Sequence, residues 1–274
     1  MAKRTFRRKS ETMVTPILMP TVEPTDAPMP TPSPTLSPTV APTSEPITRE
    51  RLDSGEFDHF FDDTLLIGDS LTDILSNYVR ERRKTQPNLL GTAKLFGVKG
   101  MNIKIACQDL GSAGGRYYRY RGKVQSITQL INACESKRVF IMLGVNDVAD
   151  RPWDVVKGHF AQMIDVIHEK CPDTEVVIQG VLPITKEYCD IQGVTITYFN
   201  GFNEELSKVC EEHGAAFLDF SKEMMDEKGY LALPLCSDRL FHLSKKGEAI
   251  WINALYLYAA RQMYPDAEVL LSDN

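Results

Sequence analysis

No stretch of this 274-residue chain is apolar enough, over a sufficient length, to span a bilayer or to form the hydrophobic core of a secretory signal. The nearest approach, Val14 to Met19, is short and broken by Pro16, although it follows a cationic front of Lys3, Arg4, Arg7, Arg8 and Lys9 that looks like the start of a signal or anchor. Cys-x-x-Cys is missing as well. The cysteines, Cys107, Cys134, Cys171, Cys189, Cys210 and Cys236, lie at wide, irregular intervals, which argues against a zinc site or a dithiol redox motif, and neither metal nor cofactor is expected. A chain of this size builds its core without disulfides, so free, half-buried thiols are expected and the redox compartment stays open. Nor is positive charge in excess: the formal net charge of −6 argues against nucleic acid as a partner.

What is present falls into two parts, residues 1–50 and 51–274. Thr15 to Thr48 is a Pro/Thr/Ser repeat, as in Met29-Pro30-Thr31-Pro32-Ser33-Pro34-Thr35, a composition that cannot bury a core and predicts an extended, polyproline-like linker. Such a spacer suits a catalytic domain held away from a cell surface; a disordered tail without that role is the plainer alternative. The remainder carries most of the apolar residues, which make up 43% of the chain, and reads as one globular domain.

That domain is organised around Thr64-Leu65-Leu66-Ile67-Gly68-Asp69-Ser70-Leu71. A continuous apolar run predicts a strand buried on both faces, and it breaks at Gly68 into the helical pattern Leu71, Ile74, Leu75, Tyr78, Val79. Ser70 therefore falls at a strand-to-helix turn, where its hydroxyl is lifted off the sheet end and its N–H is one of the unpaired donors that open a helix. The position suits a nucleophile that must also hold an oxyanion. It equally suits an Asp-Ser pair that merely caps the helix. Arg51 to Phe61 is expected to be a lead-in helix, with His59 at its surface.

Further strands are expected at Ala93 to Val98, Arg138 to Leu143, Val176 to Pro183 and Ala216 to Asp219. Amphipathic helices fall between them, at Val124 to Cys134, Trp153 to Cys171 and Phe199 to His213, with a last one from Leu243 onward. Alternation of this kind predicts right-handed crossovers and a parallel sheet. Gly100 follows the second strand, where a glycine brings its backbone N–H close to a ligand or simply makes a tight turn. Gly144-Val145-Asn146-Asp147 ends the third strand, and the Asn146 amide can point at the place that Ser70 and Gly100 would serve, or the pair can cap the next segment. Gln108 to Lys123, with Gly111, Gly114, Gly115 and interleaved Arg and Tyr, is either a solvated loop or part of a cleft.

Phe61 to Thr72 resembles the first motif block of the GDSL, or SGNH, hydrolases, and Gly100, Gly144-Val145-Asn146-Asp147 and Asp238-Arg239-Leu240-Phe241-His242 follow in that family's order. The resemblance implies a three-layer α/β sandwich with a flavodoxin-like parallel sheet of about five strands. It also implies an esterase in which Ser70 is the nucleophile, His242 the base and Asp238 its partner, with Ser70, Gly100 and Asn146 as the oxyanion hole. Ser70 does not lie in Gly-x-Ser-x-Gly, so the ordinary α/β-hydrolase elbow is set aside. The last block departs from the family pattern. Three residues separate Asp238 from His242 where two are usual, and Arg239 occupies a position often held by Gly. Arg is poorly suited to positive φ, so this loop is expected to take another path, which puts the reach of Asp238 to His242 in question. The family's substrates range widely. The linker favours O-acyl or O-acetyl groups on carbohydrate, at an extracellular or surface location, over a lysophospholipid or thioester, and a non-catalytic carbohydrate-binding protein is the rival of a different class.

Overall fold

The computed structural model of the protein describes residues 45–107, 117–148 and 151–271. Most of the Pro/Thr/Ser-rich linker, and Gly111, Gly114, Gly115 and Arg116 of the Arg/Tyr stretch, lie outside these residues.

Five strands form the central sheet: β1 (Thr64–Gly68), β2 (Lys94–Gly97), β3 (Arg138–Met142), β4 (Glu175–Gln179) and β5 (Ala216–Leu218). They are ordered β2-β1-β3-β4-β5 and every neighbouring pair is parallel. This is the flavodoxin-like order, in which the chain reverses direction across the sheet between β1 and β3 and leaves a crevice at the carboxyl ends of those strands. All five residues of β1 are buried, as its unbroken apolar run requires of a strand covered on both faces.

The major crossovers and the C-terminal segment are α1 (Ser70–Arg82), α2 (Ile127–Cys134), α3 (Trp153–Lys170), α4 (Phe202–Glu212) and α5 (Lys245–Met263). α1 packs with α5, while α3 packs with both α2 and α4, so the sheet is sandwiched between two helical layers. Gly68 is where β1 hands over to α1. A Cβ there would lie 2.1 Å from Thr72 Oγ1 and 2.4 Å from the Met142 carbonyl oxygen, so only glycine lets α1 start this close to β3.

The lead-in to β1 is not one helix. A turn of helix at Arg49–Asp53 and a 3-10 turn at Asp58–Phe61 are separated by Gly55, whose φ of +84° ends the first. Ile47–Thr48, just ahead, pairs in parallel with Val269–Leu270, and Ile47 is fully buried. The Arg/Tyr stretch, as far as it is described, is a hairpin of Tyr118–Tyr120 and Lys123–Gln125 instead of a solvated loop. Tyr118 is 1% exposed and its hydroxyl donates to the Gly68 carbonyl at 3.0 Å. All six cysteines are free, four of them buried.

Glu248, in the first turn of α5, is 1% exposed, and neither of its carboxyl oxygens has a hydrogen-bond partner among the described residues. Burial pushes this carboxyl up to about 8 from an ordinary value of 4.5. Between those two pH values the unfolded chain has released the proton and the folded protein has kept it, so stability falls as pH rises through the window and levels off above it. Glu248→Gln removes this titration. The variant should gain on wild type by on the order of 3 kcal/mol between pH 5 and pH 8. Denaturant unfolding at the two pH values measures the slope, and equal slopes would reject the assignment.

Candidate active site

At the carboxyl edge of the sheet, β1 ends and α1 begins within two residues, and Asp69 and Ser70 divide the work of that turn. Asp69 Oδ1 accepts the Leu71 N–H at 2.9 Å and caps the helix. Ser70 is thereby free of the capping role, and its Oγ lies 2.9 Å from His242 Nε2. Of the two alternatives read from the tripeptide, the cap is made by Asp69, which leaves the Ser70 hydroxyl facing His242.

His242 Nδ1 in turn lies 2.6 Å from Asp238 Oδ2. The second oxygen of that carboxyl is held by the backbone: Asp238 Oδ1 accepts from the N–H groups of Leu240 at 2.8 Å, Phe241 at 3.2 Å and His242 at 3.3 Å, and the Cys236 thiol donates to it at 3.4 Å. Partial burial pushes the Asp238 carboxyl up, but the His242 ring, the Leu240 N–H and the Cys236 thiol outweigh it and hold the group below its ordinary value. A carboxylate of this kind keeps one tautomer of the imidazole, with Nδ1 protonated and Nε2 open to accept a proton from Ser70.

Arg239 was expected to divert the loop; instead it adopts the left-handed conformation, with φ of +66°. The extra residue is taken up in a bulge closed at its base by the Cys236–Leu243 bridge and by the Ser237 N–H donating to the His242 carbonyl at 2.8 Å. Phe241, within the bulge, lies against the His242 ring with centroids 4.3 Å apart. Left-handed backbone costs a residue with a Cβ roughly 1–2 kcal/mol, and the Arg239–Glu187 ion pair at 2.9 Å is too exposed to offset much of it. Arg239→Gly should therefore shift unfolding stability by less than about 1 kcal/mol, with the relief of strain opposed by the greater freedom of the unfolded chain. Arg239→Val should cost about 1–3 kcal/mol, because a β-branched residue resists this conformation most. Chemical denaturation of the two variants tests the difference.

Asn146 lies in the helical turn Val145–Val148 after β3, and Gly100 in the loop after β2. Gly100 has φ of +66° and leads into Met101, whose carbonyl accepts from Asn146 Nδ2 at 2.9 Å. The other Nδ2 hydrogen goes to Asp69 Oδ2 at 3.0 Å. The amide thus ties the loop after β2 to the turn that carries Ser70, and donating to an oxyanion would mean exchanging one of these bonds. Asp147 Oδ2 accepts the Ile103 N–H at 2.9 Å, a long-range bond to the segment after β2 and not a cap on the segment that follows. Asp69 is completely buried, and burial pushes its carboxyl up to about 7 despite the Leu71 and Asn146 donors. In the sequence Asp69 reads only as a helix cap. Its place directly before the candidate nucleophile was the available signal. His59 is exposed; His159 and His168 on α3 are half-buried, and none of the three belongs to this cluster. No group of three or more His, Cys, Asp or Glu side chains suited to a metal occurs among the described residues.

The family model of the GDSL-like lipase/acylhydrolase family matches residues 66–250, which is more than half of the chain and includes every residue of this site. The chain belongs to that family. As a GDSL-like acylhydrolase it is an ester-hydrolysing enzyme. Its fold recurs in a Streptococcus pneumonia protein named for platelet activating factor, at 16% identity and a TM-score of 0.55, with 77% of this chain and 92% of that one covered. A GDSL-like lipase from Bacteroides thetaiotaomicron matches at 15% identity and a TM-score of 0.54, over 73% of this chain and 88% of the other. The acetyl xylan esterase AlAXEase matches at 15% identity and a TM-score of 0.52, over 71% and 98%. Among curated proteins none matches the chain.

Proposed function

We propose that this GDSL-like hydrolase is a serine esterase that removes O-acyl groups, chiefly O-acetyl, from carbohydrate by way of an acyl-enzyme. The observation that carries the reading is the chain of contacts Ser70 Oγ to His242 Nε2 at 2.9 Å and His242 Nδ1 to Asp238 Oδ2 at 2.6 Å. Ser70 attacks the acyl carbonyl carbon while its proton passes to His242 Nε2, and the carbonyl oxygen becomes the oxyanion held by the Ser70 and Gly100 N–H groups and Asn146. His242 then gives that proton to the departing sugar oxygen, leaving the acyl group on Ser70. Water enters, loses a proton to His242, attacks the acyl carbon, and the carboxylic acid leaves as Ser70 takes the proton back. Asp238 keeps its negative charge throughout and stabilises the imidazolium.

Carbohydrate as the alcohol portion is supported by likeness of fold to an acetyl xylan esterase and by the Pro/Thr/Ser-rich linker, which suits a surface-held enzyme. A fluorophosphonate probe should label the native protein once, at Ser70, and Ser70→Ala should abolish labelling. Turnover on p-nitrophenyl esters should fall as the acyl chain lengthens, and acetate should be released from acetylated xylan. Absence of labelling would sink the serine mechanism, and a preference for long acyl chains would sink the carbohydrate substrate.

A further inference from the structure

The bulge that carries Asp238 and His242 has an external support. Thr185, at the end of the loop that follows β4, is fully buried, and both of its donors reach the bulge: its N–H donates to the Leu240 carbonyl at 2.9 Å and its hydroxyl donates to the Arg239 carbonyl at 2.6 Å. The same oxygen accepts the Tyr188 N–H at 3.2 Å, which makes Thr185 the N-cap of the short helix Lys186–Gln192. That helix adds two further contacts to the bulge, a Tyr188–Phe241 ring pair with centroids 5.1 Å apart and the Glu187–Arg239 ion pair. Ile184 is fixed in turn, because its carbonyl accepts the Leu231 N–H at 2.9 Å.

We infer that Thr185 is a positioning residue for the acid–base pair, and that its hydroxyl is what permits a three-residue spacing between Asp238 and His242. The inference rests on the serine-esterase reading above. Arg239 is left-handed, and its carbonyl takes the Thr185 hydroxyl from outside the bulge at 2.6 Å. Phe241 and His242 follow directly, so a bulge released at Arg239 and Leu240 moves the imidazole relative to Ser70 Oγ. A misplacement of about 1 Å at reacting groups can cost on the order of 100-fold in rate.

The test compares replacements of Thr185 by the rate at which a fluorophosphonate labels Ser70 and by kcat and KM on p-nitrophenyl acetate, each per folded molecule and well below the melting temperature. Thr185→Val should lower the labelling rate and kcat by about 10- to 100-fold with KM nearly unchanged, and Thr185→Ser should restore most of both. Thr185→Asn and Thr185→Asp separate positioning from capping, and serve if the Val variant does not fold. Both can cap the Lys186–Gln192 helix through a side-chain oxygen, but only Asn can donate to the Arg239 carbonyl, so Asn should label at least about tenfold faster than Asp. Equal rates for Asn and Asp, or a Val variant that melts earlier yet reacts at the wild-type rate, would reduce Thr185 to a structural cap and overturn the inference while leaving the esterase reading intact. Wild-type protein that takes no label at Ser70 overturns the esterase reading, and the role of Thr185 with it.

Discussion

Asp238→Asn should lower kcat by up to about 10⁴ with little loss of stability. An amide at this place is isosteric and its oxygen can still receive the Leu240, Phe241 and His242 N–H groups that now end on Asp238 Oδ1. What changes is the other terminus. Asp238 Oδ2, 2.6 Å from His242 Nδ1, becomes an NH₂ that donates to the ring, so Nδ1 must accept and the proton moves to Nε2, where it blocks the nitrogen that should receive the Ser70 proton. The imidazolium also loses its counter-charge. The alternative is a Ser-His dyad in which the carboxylate only fixes the loop; it requires Asp238→Asn to retain most activity while His242→Ala abolishes it. Steady-state kinetics of the two variants, with denaturation midpoints for both, decide between the mechanisms.

Asn146→Ala should reduce kcat by about 10²- to 10³-fold, as loss of one oxyanion donor does elsewhere, with KM altered much less. Unlike a donor that serves only the transition state, this side chain also joins Asp69 Oδ2 to the Met101 carbonyl. Its removal leaves a buried carboxyl short of a partner, so about 1–3 kcal/mol of stability should go with the activity. Both losses should appear in the same variant, the first in initial rates at saturating ester and the second in urea unfolding. An unchanged kcat with reduced stability would confine Asn146 to bracing the two loops and remove it from the oxyanion hole.

The order of elements and the turn that lifts Ser70 were legible in the chain because they depend on local patterns. Leu65-Leu66-Ile67 can only be a strand covered on both faces, the 3.6-residue period begins at Leu71, and one position separates the two where Gly68 ends and Ser70 starts. The same holds for the third strand and for Gly144-Val145-Asn146-Asp147 at its end. The lead-in helix was overextended because its apolar and charged residues fit a helical period, while the break depends on Gly55 in left-handed backbone. The Tyr118 hairpin could not be read at all, since what makes Tyr118 buried is a carbonyl fifty positions away at Gly68.

For the site, sequence supplied the residue types and their order along the chain, and tertiary structure supplied the distances. Ser70 and His242 are separated by 172 positions and meet because α5 and α1 share a layer, with the bulge between Cys236 and Leu243 delivering the imidazole to the end of β1. Spacing alone suggested that Arg239 would displace Asp238. It does not, because a strain of one or two kcal/mol in one residue is tolerable where several long-range bonds, those from Thr185 among them, hold the loop. Local sequence encodes such a strain as an objection, and only the packed structure contains the contacts that override it.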